Sequence, residues 1–587
     1  MTAGKNGWLM AVSIGPMQEF IQSARRTRDL WFGSYVLSTI SKAVAKELLG
    51  PDTELIFPYA TSRKELDDPG FVVSNVLLAK LGAGVHPDQL SPILEEAAQT
   101  AWEDFARRAV ADSHVESGWL VQKRWESQIR GVVEVYTAWL PLDDSEYRNT
   151  RAELMRLLSG RKACRDFQAW EGEFGVPKSS LDGARETVLS KLDKAGTKKR
   201  AERLKLNEGE QLDTIGLTKR LGGTSGTRQQ YPSVSRVAAD PWLHGLDKTD
   251  CDALLRICET LRGRGLVGLS PEKFPQYRNF PWERSAVYLN HCKEAVEDAE
   301  EGLRAELLKP LRTELTRLYQ KYRKPDPYLA ILMADGDHMG RAISQIERAE
   351  DHQQLSRALA GFAGEAGKHV RECGGALVYA GGDDVLAFLP VDRAVECARK
   401  LRDEFAGAMA NWSGPTLSVG IAIGHMMEPL EDLLEYARNA EKLAKKQENR
   451  PERDALAVTV HARSGSPVQW RAQWDSNPDA MLGKLVNDLL EDRIPDKAAH
   501  DLAERARFYR DLEDQAGNAP DWVEGAVRAD ALRVLGRKVS KDDSALRELE
   551  EMVRRTVNKP SDLESLTSAL LIARRVQMSA QQHPGKR

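Results

Sequence analysis

Four aspartates in two short stretches are the residues of this sequence best suited to chemistry. Asp335 and Asp337 end the apolar run Tyr328-Leu-Ala-Ile-Leu-Met-Ala. Asp383 and Asp384 follow Gly381 and Gly382, between two runs rich in strand formers, 376–380 and 385–389. In an extended chain alternate side chains share one face, so Asp335 and Asp337 can point the same way, although Gly336 can bend the backbone between them. The stretch 376–389 reads as strand, tight turn and strand. Its glycines admit positive φ and let backbone come close to a ligand. Gly-Gly-Asp-Asp alone is equally well read as an ordinary solvated turn. Beside a second acidic strand end it becomes a set of hard oxygen ligands. Such a set suits Mg²⁺ or Mn²⁺, which bind through one or two carboxylates plus substrate phosphates. Two such ions can activate a hydroxyl and stabilise the leaving oxygen of an in-line displacement.

The elements around these residues must hold the two acidic points side by side. A helical stretch from Ala342 to Cys373 is long enough for a crossover, giving the order β-α-β-β. Leu417 to Gly424 reads as the next strand, and Ala437 to Lys446 as the helix after it. Upstream, Trp8 to Ser13 reads as a strand punctuated by Gly15-Pro16, and a helix runs from about Met17 to Leu49. Phe20, Ala24, Trp31 and Tyr35 fall near one stripe of that helix, with Arg25, Arg26 and Arg28 largely off it. Residues 55–58 and 70–75 read as a hairpin region without an acidic pair. From Pro87 to about Gly160 the pattern is mostly helical, and Trp102, Trp119, Trp125 and Trp139 read as core or interface residues. The basic run Lys194 to Lys205, close to a Gly-rich segment at 222–226, is a solvated loop or a contact for RNA backbone. Asp250 to Lys321 is helical, and Lys324-Pro-Asp-Pro327 breaks the pattern. Ser464-Gly-Ser-Pro467 reads as an exit linker, followed by amphipathic helices to about Met578 and a short tail.

Composition bounds the class. The 587 residues are 41% hydrophobic and 29% charged, as in a globular chain with room for several cores. The formal net charge of −4 means that any nucleic-acid contact must come from local basic patches. No apolar run reaches the ~18 residues of a membrane helix, and no signal peptide is read at the start. The expectation is a cytoplasmic protein without a membrane partner. None of the six cysteines forms a C-x-x-C pair. Cys251, Cys258, His291 and Cys292 make a poor zinc set, so zinc is not expected.

The acidic region resembles the palm of GGDEF-type nucleotidyl cyclases. More closely, it is similar to the cyclase palm of the large polymerase-like subunit of type III CRISPR effector complexes. Three further segments point to the III-B (Cmr) branch: Ile14–Ile21 with Ala24–Trp31, Lys178–Ala184 and Tyr231–Ala238. The resemblance implies an α+β chain with two ferredoxin-like palm domains, interleaved helical domains and a C-terminal helical bundle. The expected domains are 1–160, a first, degenerate palm; 161–325, a mostly helical linking domain; 326–462, the second palm; and 463–587, the C-terminal helical domain. It further implies a nucleotidyltransferase that makes cyclic oligoadenylates from ATP with two Mg²⁺ or Mn²⁺ ions, switched on by target RNA pairing with the guide crRNA. Expected partners are other Cmr-type subunits and these RNAs.

In this reading Asp335, Asp383 and Asp384 are catalytic metal ligands, with Asp337 a less central one. Gly336, Gly381, Gly382, Ser418, Lys445 and Lys446 contact the nucleotide. Arg25, Arg26 and Arg28 are either a solvated face or a contact for nucleotide phosphate or RNA. Two rival readings remain: transfer of AMP to S-adenosylmethionine by the same palm, and a catalytically silent scaffold. Many family members carry an N-terminal HD nuclease domain. The one His-Asp dipeptide here, His500-Asp501, lies after both expected palms, so no HD nuclease activity is expected.

Overall fold

The computed structural model describes the chain except for residues 1–6, 17, 69, 165–171, 208, 223–230, 263–273, 275–276, 284–285, 291–300, 447–451, 496, 517–521, 539–543 and 583–587. Two sheets organise it. The first contains β1 (Trp8–Gly15), β2 (Thr53–Phe57), β3 (Val76–Leu81) and β4 (Glu134–Pro141), in the order β2-β3-β1-β4. The second contains β5 (Tyr328–Asp337), β6 (Ala376–Gly381), β7 (Asp384–Leu389), β8 (Thr416–His425), β9 (Ala455–Val460) and β10 (Val468–Gln473). Its order is β10-β9-β8-β5-β7-β6.

Within each sheet the first four strands in the chain lie in the order fourth, first, third, second. That is the ferredoxin-like arrangement, and it makes the internal repeat visible in topology where the residues alone do not show it. The pairings are antiparallel except for β8 with β9.

The apolar runs of β1 and β5 are continuous because both faces of each strand are covered. Trp8, Met10, Val12 and Ile14 join the core under the helix Thr27–Glu47, while Leu9 and Ala11 face the second sheet's core. Leu329 and Ile331 pack toward the helix Leu430–Lys445, and Ala330, Leu332 and Ala334 toward the helices Ala349–Glu372 and Ala394–Ala408.

Several sequence expectations are corrected here. Residues 70–75 are not a strand; the hairpin partner of β2 is β3, further along. The stretch 87–160 is mostly helical as expected, but it also holds β4, which pairs with β1 along its whole length. The long first helix is two, Gln18–Gln22 and Thr27–Glu47, broken at 23–26. The crossover is likewise split, into Met339–Gln345 and Ala349–Glu372. The run Lys194–Leu204 is a helix capped by Asp193, not a loop. Ser464–Pro467 is the connection between β9 and β10 rather than an exit linker, so the second sheet continues past it. Beyond β10, helices such as Ala498–Ala516, Val523–Leu535 and Pro560–Ala580 form the C-terminal bundle. No described helix is long and apolar enough to cross a membrane. Among the described residues no cysteine forms a disulfide; His291 and Cys292 lie outside the described residues. Asp501 pairs with Arg537 at 2.6 Å.

The Ala349–Glu372 helix joins the two halves. Gln353 Nε2 donates to Glu54 Oε1 at 2.7 Å, and Ser356 Oγ accepts from the backbone N–H of Tyr59 at 2.8 Å. His352, buried, has its Nδ1 2.8 Å from the Tyr147 hydroxyl and stacks on Phe57. Burial, with Arg151 nearby, pushes its imidazole down to about 3. A histidine held neutral in the fold takes up a proton on unfolding. Its stabilising effect is therefore present above the ordinary value near 6.5 and is lost as pH falls toward 3. At about pH 5 that loss is roughly 2 kcal/mol. His352→Gln should flatten the drop in melting temperature between pH 7 and pH 5 seen for the native chain. An unchanged drop would remove His352 as its source.

Candidate active site

β5 sits between β7 and β8, and its register sets the site. Ala334 is opposite Val385, so the hairpin tip lies beside the end of β5. The tip turns at Gly382, with φ 68°. Asp335 and Asp337 share the face covered by the Leu430–Lys445 helix. On that face Lys445 Nζ sits against Asp335 Oδ2 and 2.8 Å from Glu441 Oε1. Asp383 occupies the space beside Gly336. A Cβ on Gly336 would lie 2.6 Å from Asp383 Cβ and 2.7 Å from its Oδ2. Glycine is the residue that lets the carboxylate approach the strand.

Asp337 is enclosed. Its Oδ2 accepts from Thr416 Oγ1 at 2.9 Å, from Ser418 Oγ at 2.8 Å and from the backbone N–H of Asp454 at 3.0 Å, while Arg453 Nη1 stands 3.6 Å from Oδ1. A fully buried carboxylate with these partners is an anchor of the site. Ser418, expected to contact nucleotide, is equally enclosed, and its hydroxyl is spent on Asp337. Strand alternation places it on the same face as Asp337 and beneath the helix. Lys446, expected beside Lys445, is exposed near Glu452. Gly381 faces the first half, where a Cβ would stand 4.0 Å from Val72. Arg25, Arg26 and Arg28 sit in the connection between the first two helices and meet a different set of residues, described below.

The acidic groups raise one another. Burial, and then Asp337, pushes Asp383 up. Burial, then Asp383 and Glu441, pushes Asp384 up to about 7. Glu441 is raised by burial and by Asp337. Burial and Arg453 bring Lys445 down to about 8. Its contacts with Asp335 and Glu441 work in the opposite direction, and direct contact with two carboxylates keeps the ammonium form in place. The composite is an acidic pocket holding one lysine cation. Among the described residues no group of three or more His, Cys, Asp or Glu side chains is placed to hold a metal ion. A Mg²⁺-type ion asks for only one or two carboxylates and completes its shell with water and substrate phosphate. The Lys445 ammonium on Asp335 shows that this carboxylate takes a cation from the pocket side.

A supporting layer comes from beyond β9. Arg471, buried on β10, donates from Nε to the Ala444 carbonyl at 3.0 Å and from Nη2 to the Arg453 carbonyl at 3.4 Å. Trp474 donates its indole N–H to the Leu417 carbonyl at 3.0 Å and its backbone N–H to the Asp454 carbonyl at 3.0 Å. Glu441, Arg453 and Asp454 were not legible as site residues, since each stands in a mixed-charge stretch, and Arg471 is a lone cation among Gln, Trp and Ala with no local signal. Next to the strand end, a cavity of about 400 Å³ is lined by Gln345, Asp351, Gln354 and Trp412. A second one of about 320 Å³, lined by His338 and Arg341, shares Ala342 and Gln345 with it.

With this geometry in hand, relatives can be compared. Residues 328–457 match the second palm domain of Cas10/Cmr2, and residues 9–134 match the N-terminal domain of the CRISPR-associated protein Cmr2. This chain belongs to the Cas10/Cmr2 family. The CRISPR system Cmr subunit Cmr2 of Pyrococcus furiosus is 37% identical over 207 residues, 30% of this chain and 24% of that protein. The matched stretch therefore spans about a quarter of that Cmr2's own length. A chain in the cryo-EM structure of type III-B Cmr-beta in the apo state superposes with a TM-score of 0.69 at 14% identity, covering 97% of this chain and 82% of that one. Its counterpart bound to cognate target RNA gives 0.65 at 14% identity, covering 97% and 83%. At that identity the likeness is one of fold, and it extends across nearly all of this Cas10/Cmr2 chain, including the helices outside the two palms. The acidic pocket lies in the second palm, and β1 in the first palm ends in Ile14-Gly15, without carboxylates.

Proposed function

We propose that this Cas10/Cmr2 chain is the cyclase subunit of an RNA-guided type III-B CRISPR complex and joins ATP into 3′–5′ linked cyclic oligoadenylates when target RNA pairs with the guide. The observation that supports the reading is the register that sets the Gly-Gly-Asp-Asp turn beside the end of β5, with Asp383 against Gly336, Lys445 against Asp335, and Asp383 and Glu441 both acting on Asp384. Asp335, Asp383 and Asp384 would hold the divalent cations. Mg²⁺ or Mn²⁺ bound there would polarise the attacking ribose hydroxyl and neutralise the triphosphate. Asp337 keeps the floor of the pocket in register through Thr416, Ser418 and Asp454. Burial, then Asp383 and Glu441, raises Asp384 to about 7 in the cation-free pocket, so a divalent cation bound there would displace its proton. With a cation on Asp335, Lys445 would be free to pair with a phosphate oxygen. The cleft from His338 to Trp412 has the volume for a nucleoside. Gly336, Gly381 and Gly382 let backbone approach the phosphates. Other Cmr-type subunits, crRNA and target RNA are the partners, in keeping with the target-RNA-bound Cmr-beta relative.

The test is product analysis by mass spectrometry. The reconstituted complex receives ATP, Mg²⁺ or Mn²⁺ and target RNA, with and without S-adenosylmethionine. Cyclic oligoadenylates in both tubes are expected. An AMP adduct formed only with S-adenosylmethionine would replace the acceptor. No product from a complex shown to bind target RNA would make the chain a scaffold.

A further inference from the structure

The segment that carries Arg25, Arg26 and Arg28 is fixed with unusual thoroughness. It joins the helices Gln18–Gln22 and Thr27–Glu47. Lys219, fully buried, donates to the carbonyls of Phe20 at 2.7 Å and Ser23 at 2.5 Å. Thr27 Oγ1 donates to the Pro232 carbonyl at 2.6 Å. Arg220, also fully buried, is a hub. Its guanidinium donates to Asp29 Oδ2 at 2.8 Å, to Glu210 Oε1 at 2.8 Å and to the Lys205 carbonyl at 3.1 Å. One arginine thereby pulls together the two basic segments of the sequence, 25–28 and 194–205.

What it assembles is a group of cations with few acids left over. Asp29 and Glu210 are engaged by Arg220. Arg28 keeps Nε and Nη2 out of solvent without a hydrogen-bond partner, and its nearest carboxylate, Asp29, is 3.9 Å away. Among the described residues the Arg26 guanidinium donates to the amide oxygen of Asn207, at 3.2 Å, with Asp29 and Glu210 acting on it without a hydrogen bond. Lys205, in a left-handed conformation at the end of its helix, is exposed. Partial burial, then Arg28 and Arg26, lowers Lys205, and burial, then Arg220, brings Arg26 down to about 10, with Asp29 and Glu210 acting the other way. Among the described residues Glu283, which accepts from Ser233 at 2.6 Å, acts on Arg28 besides Asp29. Holding guanidinium groups rigid and unpaired is costly unless an anion completes them.

We infer that Arg26, Arg28 and Lys205 form a preset oxyanion site that takes a phosphate group, from single-stranded RNA backbone or from a nucleotide triphosphate. The site stands apart from the acidic pocket, and its test does not depend on synthesis. Binding of the full chain to a fluorescein-labelled single-stranded RNA of mixed sequence is measured by anisotropy across salt concentrations, and binding to ATP by calorimetry. Arg28→Gln with Lys205→Gln should weaken binding by about tenfold near 0.1 M salt, with the slope of log affinity against log salt shallower by about 1.4 for RNA. Lys205→Gln alone, at an exposed side chain, should give about half that change in slope, which guards against misfolding of the double variant. Lys205→Arg should retain native affinity. An effect confined to RNA identifies a backbone phosphate; one confined to ATP identifies the triphosphate. Unchanged binding of both, or no binding of either by the native chain, overturns the site.

Discussion

With Asp383 and Asp384 both replaced by asparagine, oligoadenylate synthesis should fall by at least ~10³-fold. The cation-free protein should at the same time become more stable at pH 8. The first effect follows from removing two of the three carboxylates that hold the cations. The second follows from what those carboxylates do when empty. Burial, then Asp383 and Glu441, raises Asp384 from 3.8 to about 7. A carboxyl raised in the fold favours the native state while protonated. Its stability contribution is full below pH 4 and is lost as pH rises through about 7. The nominal cost above that value is about 4 kcal/mol, and partial solvent exposure brings it to about 2 kcal/mol. Melting curves near pH 4 and pH 8 should therefore diverge between native and variant chains mainly at the higher pH. Added MgCl₂ should stabilise the native chain at pH 8 and leave the variant unmoved. Full synthesis by the variant would end the proposed chemistry, and an unchanged melting temperature at pH 8 would end the electrostatic account.

A single methyl group at Gly420 should be nearly as damaging. This glycine lies on β8 where the Leu430–Lys445 helix crosses, and a Cβ there would stand 2.1 Å from the Glu441 nitrogen and 2.4 Å from the Ala440 carbonyl carbon. Those atoms are helix backbone and cannot rotate away. Gly420→Ala must lift the helix by more than an ångström, at a cost of roughly 1–3 kcal/mol. It also carries Glu441 and Lys445 off the pocket. A misplacement of that size can cost about 10²-fold in rate. The measurement is synthesis per folded molecule, with the melting temperature taken alongside. Native-level synthesis with a lowered melting temperature would mean that the helix packs on β8 for stability alone.

The sequence was most informative where structure is local. The apolar run ending in Asp335 and the Gly-Gly-Asp-Asp turn could be read because strand alternation and turn chemistry act over a few residues. β4 was hidden, because Glu134 to Pro141 is a half-buried strand of mixed polarity inside a helical region. Ser418 was misjudged for a different reason. Its hydroxyl faces the acidic strand end, but the neighbouring helix covers it, and only the packed chain shows that Asp337 accepts its hydrogen bond. Lys445 and Lys446 look equivalent in the sequence. The helix end separates them, turning one into the pocket and the other to solvent. Arg453 and Asp454 reach Asp337 through a left-handed turn, for which periodicity carries no signal. Arg220 looked like one more basic residue, since its three partners lie between 10 and 191 residues away.

β10 bears on where this protein can be cut. The second palm match ends at residue 457, within β9. Excision there would leave half a strand as a raw edge. It would also strip Arg471 from the end of the Leu430–Lys445 helix and Trp474 from β8 and Asp454. The acidic palm is therefore not a portable cassette bounded by its family signature. Its smallest transplantable piece runs on to about Ser476, and the C-terminal bundle is spliced directly onto the scaffold of the pocket.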